Sequence, residues 1–250
     1  MENNHIMIPA LQETKLTSRS NLSTFNYSLV RLDRERGGIG GGIAFLIHDS
    51  IQFSIVSLPS PTVMNPFLEQ QAVSVTHGNS TITLVNIYLP PASSCPGAPD
   101  INIDHLLDNV YGFILGDFNA HHPLWHSDLN ADSRGNELAD QINDSEFGVL
   151  NEPEATRQVG ETTSSPDITL VHPDFIVTSN WATVSAFNSD HLPIIVELQC
   201  EKVKSTVKLT STLIKLIGPL YQRTITWECP TSNKCTSWWT SIASMLQESN

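Results

Sequence analysis

Apolar and polar residues alternate with a period of two in three stretches of the chain, at positions 51–58, 71–76 and 81–89. This alternation is typical of β-strands that bury one face. The second and third stretches are joined by residues 77–80, a run of the residue types that favour a hairpin turn. The pattern therefore predicts an antiparallel meander.

Continuous apolar runs predict further strands, at residues 6–11, 43–47, 113–115, 167–171, 181–187 and 194–198. Apolar residues at helical spacing predict short helices over 101–111 and 136–147. Strands that alternate with only a few helices indicate two sheets packed face to face with helices outside. The sequence therefore predicts an α/β architecture.

A cluster of glycines at residues 37–42 precedes one of these strands. A loop that cradles phosphate needs a lysine or a helix start directly after its glycines. The strand-like run at 43–47 follows instead. We therefore predict a flexible turn that leads into a strand.

The net charge of −13 over 250 residues argues against DNA binding by bulk charge. It leaves room for a local basic rim, because several basic residues lie early in the chain: Lys15, Arg19, Arg31, Arg34 and Arg36. No run of about 18 apolar residues is present, so no membrane span is predicted. The pattern changes near residue 200, which predicts a domain over residues 1–200 and a linker or divergent tail over 201–250.

The predicted strand at residues 113–115 ends at Gly116, and Asp117 and Asn119 follow two residues apart, on the same side of an extended chain. Other polar side chains fall at the ends of predicted strands: Glu13, Tyr88, Asp167, Asp190 and His191. Carboxylate oxygens suit Mg²⁺, and a histidine held by a carboxylate works as a base near neutral pH. Such a rim suits metal-assisted cleavage of a phosphodiester.

These residues lie in short motifs that occur in a fixed order: Gln12-Glu13-Thr14, Tyr88-Leu89-Pro90, Gly116-Asp117-Phe118-Asn119, Ser165-Pro166-Asp167 and Ser189-Asp190-His191. The set resembles the endonuclease/exonuclease/phosphatase superfamily. The likeness is closer to the apurinic-type endonuclease domain of jockey-like non-LTR retrotransposons, through the runs at residues 10–15 and 119–125. The resemblance covers about residues 1–200 and implies a four-layer α/β sandwich.

The resemblance also implies a role for each residue of the rim. Glu13 resembles the main Mg²⁺ ligand, with Mn²⁺ as a possible substitute, and Asp190 resembles an auxiliary ligand of the metal or of water. His191 resembles a general base or phosphate-binding imidazole that Asp167 orients. Asp117 and Asn119 resemble the residues that hold or activate the attacking water, and Tyr88 resembles a contact to the phosphate and leaving group.

The implied function is nicking of double-stranded target DNA, which leaves a 3′-hydroxyl primer for a downstream reverse transcriptase. A nuclear location follows only from that substrate. Two alternatives stay open: an apurinic endonuclease of host DNA repair, and a catalytically dead remnant that only binds. Members of the superfamily begin with a strand that carries a metal-binding Asn. This chain is expected to lack that strand, which would leave an open edge beside the strand that leads to Glu13.

Overall fold

The computed structural model describes residues 6–22, 24–34, 40–77, 80–98, 101–184, 189–199 and 211–215. Its strands are β1 (Ala10–Gln12), β2 (Tyr27–Leu32), β3 (Ile43–His48), β4 (Gln52–Val56), β5 (Glu69–His77), β6 (Ser80–Tyr88), β7 (Gly112–Asp117), β8 (Gly148–Val149), β9 (Arg157–Val159), β10 (Thr162–Ser164), β11 (Asp167–Val171), β12 (Ser179–Thr183), β13 (Ile194–Leu198) and β14 (Ser211–Lys215). The helices are α1 (Asp104–Leu107), α2 (Ser133–Asn143) and α3 (Pro173–Ile176), and single 3-10 turns lie at Ala92–Ser94 and Pro123–Trp125.

Two mixed sheets form the body of the fold. The first has the strand order β12-β13-β14-β1-β3-β2, and the second has the order β4-β5-β6-β7-β11-β8. In each sheet one neighbouring pair is parallel, β14 with β1 and β6 with β7, and the other pairs are antiparallel. Strands β9 and β10 form a separate antiparallel hairpin. The predicted α/β sandwich of two mostly antiparallel sheets is confirmed.

Apolar side chains fill the space between the sheets and cover their outer faces. Side chains of both sheets meet in the central cluster, including Phe45, Leu84 and Leu115. Residues of α1 and α2 pack on the outer face of the second sheet, where Trp125 is fully buried. The outer face of the first sheet is covered in the described ranges by a smaller cluster that includes Leu16. Each layer therefore owes its place to the burial of apolar area.

The meander predicted from the alternating stretches is confirmed, since β4, β5 and β6 pair as antiparallel neighbours. Pro9, which cannot donate to a ladder, lies just before β1. Its carbonyl still accepts from the backbone N–H of Leu46 at 2.9 Å, and the carbonyl of Met7 accepts from His48 at 2.9 Å. The apolar run at 6–11 therefore pairs along its length with β3.

The expected open edge beside Glu13 is not present. β1 pairs on one side with β3 and on the other with Ser211–Lys215, with Gln12 opposite Lys215. Strand β14 also pairs with β13, so it lies inside the sheet. Five residues of the predicted tail thus belong to the first sheet, because two neighbouring strands offer it unpaired backbone groups. The predicted division of the chain near residue 200 stays a prediction.

The predicted helix boundaries were wrong. The first helix is only the turn of α1, where 101–111 was expected. The second begins at Ser133 rather than 136, because the Asp132 side chain accepts from the backbone N–H of Gly135 at 2.6 Å and caps the helix there. It ends at Asn143, before the expected end at 147. None of the helices in the described ranges has the length and apolar composition to cross a bilayer.

Candidate active site

The polar residues at the strand ends collect at one rim of the two sheets. Because β6 and β7 are parallel, their last residues, Tyr88 and Asp117, lie opposite each other. β11 runs antiparallel to β7, so its first residue, Asp167, is the partner of Asp117. Glu13 directly follows β1 in the other sheet. The directions of the strands thus bring residues that are far apart in the chain together at this rim.

Asp117 can lie against Tyr88 because the strand that carries it closely approaches β6 at Gly116. Gly116 has φ +156°, and a Cβ atom there would lie 1.9 Å from the carbonyl oxygen of Ile87. A side chain at this position is therefore excluded. The apolar residues of the run Phe-Ile-Leu-Gly-Asp form the buried strand. Its glycine allows the close contact with β6 that places Asp117 at the rim.

Asp167 and His191 form a buried pair. Nδ1 of His191 lies 2.8 Å from Oδ2 of Asp167, and the two residues are 3% and 0% exposed. An ionised carboxylate only accepts, so the Nδ1–H of the imidazole donates to Asp167. In the neutral imidazole the other ring nitrogen, Nε2, is then an acceptor, ready to take a proton.

Asp117, Asp167 and His191 each bring a ligand atom to within 4.8 Å of the others. Oδ1 of Asp167 is buried and has no hydrogen-bond partner in the part of the chain that the structure describes. A buried carboxylate oxygen without a donor is costly, and a bound cation would satisfy it. The donor set of two carboxylates beside an imidazole therefore fits a divalent metal.

Glu13 and Tyr88 meet across the two sheets, where the Tyr88 hydroxyl donates to Oε1 of Glu13. Glu13 has φ +50°, a left-handed backbone that turns the chain directly after β1. Burial raises the pKa of Tyr88, and the carboxylates of Glu13 and Asp117 raise it further. The Tyr88 hydroxyl therefore keeps its proton at neutral pH and acts as a donor.

Asn119 is fixed in the loop after β7. Its backbone N–H donates to Oδ1 of Asp117 at 3.1 Å, and its side-chain Nδ2 donates to the carbonyl of Leu89 at 2.9 Å. Nη1 of Arg134 donates to the carbonyl of Asn119 at 3.1 Å and to that of Pro90 at 2.9 Å. The loop is thus held against the end of β6, and Asn119 stays beside Asp117.

Asp190 contacts an arginine rather than the other carboxylates of the rim. Nε and Nη2 of Arg157 both lie 2.8 Å from its Oδ2. Burial raises the pKa of Asp190, but the charges of His191 and Arg157 outweigh it, so the pKa lies below its ordinary value. Arg157 also forms an isolated β-bridge with His191, which attaches the β9–β10 hairpin to the rim. The metal-ligand role of Asp190 stays a prediction.

Comparison with known proteins gives one family match. Residues 82–195 match the family described as endonuclease-reverse transcriptase. The match covers part of the chain and agrees with the resemblance that the ordered motifs indicate. Among curated proteins no significant match was found.

Several solved structures share the fold. The endonuclease domain of TRAS1, a telomere-specific non-LTR retrotransposon, matches with a TM-score of 0.57 and 20% identity over 78% of this chain and 87% of that chain. The APE2 catalytic domain of Xenopus laevis gives 0.52 and 15% over 82% and 87%. The AP endonuclease LMAP of Leishmania major gives 0.55 and 11% over 75% and 76%.

Sequence reasoning missed the arginines that surround the superfamily motifs at this rim. Arg34, Arg134 and Arg157 each contact a rim residue or its loop. Arg34 was noted only as one of several early basic residues. The signal for Arg157 was present in its sequence neighbourhood, because residues 157–164 hold two short polar strands around Gly160, a hairpin pattern. Nothing in the sequence around Arg134 points to its contacts with distant carbonyls.

Proposed function

We propose that the chain is a metal-dependent endonuclease that nicks duplex DNA and leaves a 3′-hydroxyl end. The observation that carries the proposal is the buried Asp167–His191 pair with Asp117 beside it. A carboxylate-held imidazole next to a second carboxylate supplies a proton acceptor and a place for a cation at one point. Both promote hydrolysis of a phosphodiester.

In the proposed reaction a water oxygen attacks phosphorus while the water proton passes to Nε2 of His191. The Asp167 carboxylate holds Nδ1–H and stabilises the imidazolium that forms. Asp117, with Asn119 beside it, positions the water. The bond from phosphorus to the 3′ oxygen breaks, and that oxygen takes up a proton from solvent, which gives the 3′-hydroxyl end opposite a 5′-phosphate. His191 then returns its proton to solvent.

The Tyr88 hydroxyl, which keeps its proton, would donate to an oxygen of the phosphate or of the leaving group. Asp117 and Asp167, with Glu13 and Asp190 as the further predicted ligands, would hold Mg²⁺ or its substitute Mn²⁺. When bound, the metal neutralises charge on the phosphate and on the leaving oxygen. The buried Oδ1 of Asp167 supports this donor set.

The cellular role is a further part of the proposal. The matching family description names a reverse transcriptase, and the TRAS1 domain belongs to a non-LTR retrotransposon. We infer that the nick primes reverse transcription by a downstream reverse transcriptase domain, with double-stranded DNA as substrate. A nuclear location follows from that substrate.

The proposal is tested with end-labelled duplex oligonucleotides, one intact and one with a single abasic site. In Mg²⁺ the chain is expected to nick the intact duplex, and a DNA polymerase is expected to extend the product without prior end repair. Nicking confined to the abasic duplex would support the repair alternative. Binding without nicking of either duplex, by a folded chain in Mg²⁺ or Mn²⁺, would contradict the endonuclease proposal.

A further inference from the structure

Arg34 lies at the rim although none of the ordered motifs includes it. Its Nε donates to Oε1 of Glu69, and the backbone N–H of Gly42 donates to Oε2 of the same carboxylate at 2.8 Å. The guanidinium carbon lies 5.6 Å from the centre of the Tyr88 ring. Tyr88 in turn contacts Glu13. The guanidinium is therefore next to the residue pair that joins the two sheets.

One nitrogen of the Arg34 guanidinium has a partner, and another has none among the described residues. A guanidinium has five N–H groups, and the one at Nε is engaged by Glu69. Nη2 is buried and has no hydrogen-bond partner among the described residues. The Arg34 side chain as a whole keeps 22% of its surface exposed, so it is not sealed from solvent. A planar guanidinium with N–H groups that lack an acceptor can donate to the oxygens of a phosphate.

The turn before β3 leaves room for the guanidinium. Gly41 has φ +85°, and a Cβ atom there would lie 2.3 Å from the guanidinium carbon and from Nε of Arg34. Gly40 has φ +111° as well, but a Cβ atom there would meet nothing within 4 Å. Two neighbouring glycines thus share a strained backbone, and only one of them makes space for Arg34.

The ion pair with Glu69 alone does not explain why the Arg34 guanidinium lies beside Tyr88. Burial raises the pKa of Glu69, against the lowering effects of Arg34 and of the Gly42 N–H. A partly buried ion pair gains little stability once desolvation is counted. The carboxylates of Glu13 and Asp117 both raise the pKa of Tyr88, so negative charge lies near its ring. Phosphate would bring further negative charge to an acidic rim, so a cation is needed there.

We propose that Arg34 binds a non-bridging oxygen of a DNA phosphate beside Tyr88, and that Glu69 and Gly41 position its guanidinium. This inference rests on the proposed endonuclease function and adds a contact to its substrate. Arg34 takes no part in proton transfer. Its loss should weaken DNA binding more than it slows the chemical step.

The first test measures the affinity of a fluorescein-labelled duplex of 20 base pairs in Ca²⁺, by anisotropy, over a series of salt concentrations. Arg34→Gln is expected to raise Kd about tenfold or more, as for loss of a charged hydrogen bond. The slope of log K against log salt is expected to fall in magnitude by about 0.9, the value for one phosphate contact. Arg31→Gln is the matched control, because Arg31 pairs with Asp33 and donates to the carbonyl of Ser20, and none of its hydrogen bonds among the described residues reaches a rim residue. Equal slopes and affinities for the two variants would overturn the inference.

The second test displaces the guanidinium without removing its charge. Gly41→Ala and Gly40→Ala carry the same kind of backbone strain, so their difference reports the collision with Arg34. Gly41→Ala is expected to weaken duplex binding as Arg34→Gln does, and Gly40→Ala is expected to bind more tightly than Gly41→Ala. Equal binding by the two alanine variants would contradict the proposed role. This pair decides the matter even if Arg34→Gln does not fold.

The two proposals fail in different ways. If the wild type neither binds nor nicks duplex DNA, the proposed function and this inference fail together. If the wild type nicks and binds while Arg34→Gln matches it in affinity, salt slope and KM, only this inference fails. An Arg34→Lys variant, which keeps the charge but lacks the fork, should recover part of the affinity.

Discussion

The side-chain amide of Gln12 donates to Oδ1 of Asn86 at 2.5 Å, across the gap between the two sheets. Both residues are buried, at 1% and 0% exposure. Nδ2 of Asn86 donates in turn to the carbonyls of Leu11 and Ala44, at 3.0 and 3.1 Å. The sheets are thus joined by polar contacts directly beneath the rim, one residue before Glu13. In a gap filled mostly by apolar side chains, this pair connects β1 with β6.

Asn86→Ala should destabilise the fold, because it removes the donor of two buried carbonyls and the acceptor of the Gln12 amide. The expected loss in the free energy of unfolding is about 2–3 kcal/mol, the cost of buried polar groups left without partners. Chemical denaturation followed by circular dichroism measures it. Asn109→Ala is the control, since Asn109 is exposed and its side chain donates, within the described ranges, only to the carbonyl of His105. Equal losses of stability in the two variants would contradict the proposed role of the Gln12–Asn86 contact.

Asp167→Asn should slow nicking by about 10²–10⁴-fold, the usual contribution of a general base. An asparagine amide can donate to Nδ1 of His191 and so favour the tautomer that carries its proton at Nε2, where the acceptor is needed. The measurement is the single-turnover rate on a duplex oligonucleotide. Asp174→Asn is the matched control, because Asp174 lies 3.9 Å from Nδ1 of His172 on the surface, away from the rim. A wild-type rate in Asp167→Asn would exclude the proposed base.

Strand β14 leads to a prediction about its place inside the first sheet. Leu213 is the register partner of Ala10. Leu213→Pro removes a backbone donor within an internal strand and should lower the free energy of unfolding by about 1–3 kcal/mol. Leu213→Thr keeps the backbone N–H and is the control. If both variants unfold at the same denaturant concentration as the wild type, β14 does not contribute to the sheet.

A buried histidine outside the rim makes stability depend on pH. Burial lowers the pKa of His105, whose Nε2 lies 3.0 Å from Oε1 of Gln70. Below the ordinary histidine pKa of 6.5 the unfolded chain takes up a proton that the folded chain resists. The free energy of unfolding should therefore fall as the pH decreases from 7.5 to 5. Denaturation of His105→Gln at both pH values should show a smaller fall.

The exposed His126→Gln is the matched control for this pH dependence. An identical fall in His105→Gln, His126→Gln and the wild type would assign the effect to other groups.

The sequence predicted the rim better than the elements around it. Four polar residues of the rim each follow or begin an apolar run: Glu13, Tyr88, Asp117 and Asp167. The directions of the strands then bring these residues to one edge. His191 was paired with Asp167 through the resemblance alone, and the 2.8 Å contact agrees with it. The local pattern was thus enough to predict which residues lie at the rim, because the apolar runs mark where the strands end.

The contacts between distant segments were not predictable. Nothing in the local pattern assigns Ser211–Lys215 a place between β1 and β13, because backbone pairing across some 200 residues leaves no trace in either segment. The contact of Arg34 with Glu69 likewise depends on how the turn before β3 folds onto β5. The predicted start of α2 was wrong for a different reason, because a single side chain, that of Asp132, caps the helix and sets its first residue. Of the predicted tail over residues 201–250, only 211–215 belong to the described residues.

The most direct test of the central claim is the conversion of supercoiled plasmid to nicked circle by the wild-type chain in Mg²⁺. The account predicts nicking that stops in EDTA, resumes when Mg²⁺ is added in excess, and falls at least a hundredfold in His191→Ala, with His48→Gln as the control away from the rim. Nicking by His191→Ala at the wild-type rate, or an absence of nicking by the folded wild type in both Mg²⁺ and Mn²⁺, would contradict it.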